Sequence, residues 1–108
     1  METARAYLVH TTCADEDSAR KLADALVEQR LAACVSVGAP VESRFPWKGR
    51  IDQETEVPLT IKTLEDRLEA LEKAFGQLHP YEVPEILAVP VDQGNKPYLD
   101  WMREWMNQ

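Results

Sequence analysis

EVPLTIKTLEDRLEALEKAFGQLHP, residues 56–80, carries both of the periods that define the fold. Val57, Leu59 and Ile61 alternate with Glu56, Pro58, Thr60 and Lys62, the period of a half-buried strand. Pro58 has no N–H to give a ladder, so it implies a bulge or an unpaired side at that point. From Leu64 the step changes: Leu64, Leu68, Leu71, Phe75 and Leu78 advance by 4, 3, 4 and 3, one face of a helix. Thr63 to Asp66 resembles a capping box with Asp in place of Glu. The helix stops at His79-Pro80, because a residue before proline avoids the α region.

Outward from this segment the same logic supplies the neighbours. Ala6 to Thr12 reads as a short strand, and Asp15, Glu16 and Asp17 load the start of a helix with negative charge, Asp15 being the N-cap candidate. Ala19, Leu22, Ala23, Leu26 and Val27 carry that helix to about Arg30. Cys34 opens a second strand that continues past Pro40 to about Trp47, Lys48-Gly49 turns the chain, and Ile51 to Thr63 forms the third strand. Ile86 to Val91 makes a fourth strand, Gly94-Asn95 a turn, and Pro97 to Met106 a terminal helix with proline at its start. The order is β-α-β-β-α-β plus a helix. It predicts an α+β, ferredoxin-like fold with a long hairpin between the second and third strands. That fold hosts many functions and selects none.

Composition narrows the field. A chain of 108 residues and 12.3 kDa is one domain, residues 1–108. Folding would take its surface from roughly 17,800 to roughly 6,100 Å², enough burial for a thin core. No apolar run approaches the roughly 20 residues of a membrane span. Lys and Arg number 12 against 19 Asp and Glu, and the net charge of −7 has no basic stripe to set against phosphates. Nucleic acid and polybasic membrane anchoring are therefore not expected. The 2 cysteines, Cys13 and Cys34, make neither a disulfide framework nor a CxxC zinc pair. The start reads as too polar for a secretory signal, so a cytoplasmic chain with reduced thiols is expected. GxSxG, Walker, GxGxxG and HExxH motifs are all absent, which argues against an enzyme. The acidic run Glu65, Asp66, Glu69 and Glu72 reads as a solvated helix face.

Leu31-Ala32-Ala33-Cys34-Val35, Trp47-Lys48-Gly49-Arg50-Ile51, Glu56 and Ile61-Lys62-Thr63 resemble blocks of the CutA family of divalent-cation tolerance proteins. His79-Pro80-Tyr81, Pro84-Glu85-Ile86, Gly94-Asn95 and Tyr98-Leu99-Asp100-Trp101 continue the resemblance in the same order. The resemblance implies a PII-like homotrimer, a role in divalent-metal tolerance, copper or another divalent cation as the ligand, and no established reaction. Independently, a long hairpin leaves strand edges that need cover. Phe45, Trp47 and Trp101, with Trp105, offer apolar surface for a trimer interface. The alternative is that these aromatics finish the monomer's own core.

In family members credited with a copper site, a Cys near the end of the first strand joins two adjacent His at the end of the second helix. Those positions fall on Thr11, Leu78 and His79 here, so only His79 matches. Cys13 lies two residues from Thr11 and shares its face in a regular strand, which makes Cys13 and His79 the candidate metal ligands. The other reading of His79 is a helix C-terminal imidazole satisfying free carbonyls. His10 points away from Cys13 and reads as an ordinary strand histidine, and Cys34 as a small buried hydrophobe. Lys62, Tyr81, Glu85 and Tyr98 are candidates for an inter-subunit pocket holding a small anionic ligand. The other reading of Lys62 is an ion pair with Glu85. A non-metal PII-like sensor or scaffold, binding a small anionic metabolite or a partner protein, is the rival function.

Overall fold

The computed structural model describes residues 4–108, so Met1 to Thr3 of the expected domain lie outside the described residues. The elements are β1 (Ala6–Cys13), α1 (Glu16–Glu28), β2 (Cys34–Val37), β3 (Val41–Trp47), β4 (Arg50–Leu64), α2 (Leu68–Leu78), β5 (Leu87–Pro90) and α3 (Lys96–Met106). All pairing is antiparallel, in the order β2-β4-β1-β5, with β3 also on β4. This is the ferredoxin-like order. The charge-loaded start of α1 is capped as expected: the Asp15 carboxylate accepts the Ser18 N–H at 2.7 Å. Lys48 and Gly49 turn the hairpin with φ of 49° and 82°, the positive pair a tight two-residue connection requires.

Three expectations need correction. The second strand is not continuous: β2 ends at Val37 and β3 resumes at Val41. Pro40 cannot donate to a ladder, and Pro58 stands across the break on β4. Gly38 N–H donates to Pro58 C=O at 2.8 Å. In an antiparallel strand a residue's nitrogen and carbonyl point the same way, so the missing Pro58 N–H also faces the break. Second, the capping box does not form. Thr63 is still in β4, paired with Tyr7, and its buried hydroxyl donates to Leu31 C=O at 2.8 Å. The chain enters α2 instead through a 3₁₀ turn, Glu65–Arg67, without a side-chain cap. Third, Cys34 is half-buried rather than enclosed, because β2 is a sheet edge.

The two sheet faces differ. Val9, Cys13, Val57, Leu59 and Ile61 point to one side and bury themselves against Leu22 and Leu26 of α1 and Leu71 and Phe75 of α2. On the opposite side, the register aligns Leu8 with Lys62 and Val89, and His10 with Thr60 and Leu87. There α3 covers one end, where Met102 and Met106 pack on Ala6 and Leu64. Leu87 and Val89 remain 59% and 47% exposed. β4 runs through 15 residues, roughly 50 Å at 3.3 Å per residue, and the chain measures 50 × 25 × 24 Å. No helix among the described residues is long and apolar enough to cross a membrane.

Candidate functional site

His79 follows the last turn of α2, where Pro80 forces it into extended backbone (φ −80°, ψ 135°). Its ring does not turn back to the helix carbonyls. It crosses to β1, where Nε2 lies 3.0 Å from Thr12 C=O and 3.1 Å from Thr11 Oγ1. Nδ1 accepts the Tyr81 N–H at 3.1 Å. An acceptor Nδ1 leaves the proton on Nε2, which donates to the Thr12 carbonyl. The ring is buried between Phe75 and Tyr81, with centroids 5.3 and 5.1 Å away. Burial lowers the imidazole pKa, opposed by the Thr12 bond and the Glu56 charge.

Cys13 closes β1 on the same inward face as Thr11, and its Sγ is 3.9 Å from His79 Nε2. The two candidate ligands are therefore neighbours, while His10 points to the other face. The thiol is pushed up to about 11, first by burial and then by the carboxylates of Asp15 and Glu56. At neutral pH the pair is a thiol beside a neutral imidazole whose nitrogens are both engaged. Among the described residues no three His, Cys, Asp or Glu side chains meet to hold a metal.

Glu56 carries a network that patterning in the sequence did not single out. Its Oε2 accepts Tyr81 O–H at 2.8 Å and Thr12 O–H at 3.0 Å. Partial burial raises its pKa, but hydrogen bonds from Ser43, Tyr81 and Thr12 outweigh that and hold the carboxyl below its usual range. Burial and then Glu56 raise the Tyr81 phenol. Tyr81 and Glu85 line a broad cleft with Phe45, Trp47, Asp52 and Glu54.

Lys62 is elsewhere. Its Nζ donates to Tyr98 Oη at 3.2 Å and sits 5.4 Å from that ring, and Glu85 is not its partner. The expected Lys62–Glu85 ion pair is thus replaced by an ammonium–phenol contact. Lys62 and Tyr98 line a second cavity between β1, β4 and α3. Within one chain the four pocket candidates divide into two pairs on separate cavities. Of the interface candidates, Phe45 is half-buried, while Trp47 and Trp101 are 56% and 47% exposed and do not finish the core. Trp105 does join a core cluster, under Arg30 at 3.5 Å.

These features define a ferredoxin-like domain with one partly uncovered sheet face and a buried Cys–His contact. Residues 7–105 match the model of the CutA1 divalent ion tolerance protein family. The chain belongs to that family, which is named for tolerance of ions and not for a reaction. Protein CutA of Homo sapiens is 46% identical over 93 residues, 86% of this chain and 52% of that one. A chloroplastic Protein CutA of Arabidopsis thaliana is 34% identical, over 94% of this chain and 56% of that one. The chain therefore spans about half the length of these relatives. The structure of a divalent cation tolerance protein from Thermus thermophilus superposes with a TM-score of 0.89 at 42% identity, covering 92% of this chain and 96% of that one.

Proposed function

We propose that the chain works as a cytoplasmic homotrimer in divalent-cation tolerance, binding copper conditionally between Cys13 Sγ and His79 Nε2. The 3.9 Å approach of those two donors carries the reading. They do not fit a resident divalent ion, since a thiol near 11 must first lose its proton and the Nε2 proton must move to Nδ1, at the cost of the bonds to both Thr12 and Tyr81. They do fit a two-coordinate soft cation, the preference of Cu(I) for thiolate and imidazole. Binding then releases the thiol proton, and affinity rises about tenfold per pH unit. Calorimetric titration with Cu(I) under reducing conditions tests this. One ion per chain, lost in Cys13→Ser and His79→Ala, is expected. Unchanged binding in both variants would rule the site out.

The trimer reading is supported by the exposed Leu87 and Val89 on the part of the sheet face that α3 leaves uncovered, and by the exposure of Trp47 and Trp101. The accessible surface of 7180 Å² exceeds the roughly 6,100 Å² expected of a folded monomer of this mass. A second reading, a PII-like sensor, is favoured by the division of the pocket candidates. Lys62 and Tyr98 of one subunit would meet Tyr81 and Glu85 of the next around a small anion. A neighbour-dependent pocket of that kind loses its ligand in Lys62→Met and in Tyr81→Phe alike.

A further inference from the structure

The cavity between β1, β4 and α3 takes no part in the copper reading. Its walls come from Ala6, Leu8, Val91, Leu99 and Met102 and are almost wholly apolar. Lys62 is the one charged residue on the lining among the described residues. Among the described residues Lys62 forms no ion pair, and its hydrogen-bond partner is the neutral Tyr98 hydroxyl.

We infer that this cavity binds a small aromatic monocarboxylate, with the ring among Leu8, Leu99 and Met102 and the carboxylate on Lys62 Nζ. The cavity measures about 220 Å³. An apolar cavity of about 150 Å³ holds benzene, so this one accommodates a phenyl ring with its carboxylate. The carboxylate gives the Lys62 ammonium an acceptor of opposite charge in place of the neutral phenol oxygen that it now reaches. Tyr98 can serve both partners, accepting from Lys62 while donating its O–H to the carboxylate. The site shares Lys62 and Tyr98 with the inter-subunit reading but requires neither Tyr81 nor Glu85, and it is independent of copper.

The test is a titration of the native ¹⁵N-labelled protein with sodium benzoate, with acetate and toluene as probes lacking the ring or the charge. Benzoate is expected to shift the amides of Leu8, Val91 and Leu99 and to raise the melting temperature by mass action. Acetate should do neither. Lys62→Met should weaken benzoate about tenfold while leaving toluene binding in place, because only the charge-assisted contact is lost. Leu99→Trp, which fills the cavity, should abolish both. Should that variant not fold, Lys62→Met decides alone. Absence of shifts at millimolar benzoate overturns the inference, as do shifts confined to the Tyr81–Glu85 cleft. Equal weakening by Tyr81→Phe and Lys62→Met would instead transfer the ligand to the inter-subunit pocket and overturn the single-subunit site.

Discussion

The Nε2 of His79 lies 3.0 Å from the carbonyl oxygen of Thr12, joining the end of α2 to the end of β1 across the core. A helix terminus and a strand terminus are thereby fastened by one imidazole proton. The same bond holds Nε2 near Cys13 and, through Nδ1, holds Tyr81 near Glu56.

Burial of that imidazole, only partly offset by its bond to Thr12, makes stability depend on pH in a defined window. The folded imidazole titrates below its ordinary 6.5, so the unfolded chain binds the proton first. Its contribution is complete above 6.5 and is lost as pH falls through the lower folded value, at no more than about 1.4 kcal/mol per pH unit. Glu56 and Asp15 are both held below their ordinary 4.5 and 3.8, so their contributions persist until pH falls below those values. Urea midpoints measured from pH 7.5 to about 5 should decline below 6.5 in native protein and stay flatter in His79→Gln. Identical slopes would sink the assignment.

The two thiols should differ in reactivity. Cys13 is fully enclosed and its thiol is pushed up to about 11, whereas Cys34 is half-buried on the sheet edge. A thiol reagent at pH 8 should label Cys34 in the native protein and Cys13 only after denaturant, because the thiolate is the nucleophile. Equal rates at both positions would contradict the burial of Cys13. The raised folded value also means that Cys13 stabilises below the ordinary 9.0 and loses that contribution as pH rises through about 11.

Tyr81→Phe removes one of the donors to Glu56 and keeps the ring against His79. A net cost of about 1 kcal/mol is expected, since the carboxylate retains Thr12 and reaches solvent. The Glu56 carboxyl should titrate closer to its ordinary value when followed by NMR. A variant as stable as the native chain, with Glu56 unmoved, would show the contact to be idle.

Sedimentation at micromolar concentration should report three chains, with Trp47→Ala shifting the equilibrium towards smaller species. Truncating an interface aromatic commonly costs about 2 kcal/mol or more. Native protein sedimenting as a monomer would reject the trimer, and an unaffected Trp47→Ala would move Trp47 out of the interface.

Much of this molecule was legible in one dimension because local periods report local burial. The alternation of Val57, Leu59 and Ile61 and the stepping from Leu64 to Leu78 fixed a strand, a helix and the face each buries. Asp15, Gly49 and Pro80 marked ends correctly because caps, positive φ and the pre-proline restriction act within a few residues. Thr63 misled for the opposite reason: its hydroxyl is claimed by Leu31, 32 positions away in sequence, before any helix cap can form. The break in the second strand likewise needed Pro58 opposite Gly38, a pairing that only the sheet creates.

The sequence by itself determined the element types, the ferredoxin-like order, the family and the acidic character of the chain. Which polar groups share a site was decided by tertiary structure alone. Lys62 and Glu85 looked like partners by residue type, yet folding gave Lys62 to Tyr98 and left Glu85 in another cleft. Cys13 and His79 are 66 residues apart and meet at 3.9 Å because α2 packs on the face of β1 that both residues reach. Charge and donor chemistry are written residue by residue. Distance, burial and the resulting protonation state belong to the packed sheet and helices, where a few ångströms decide whether a cysteine and a histidine are a metal site or a thiol beside an occupied imidazole.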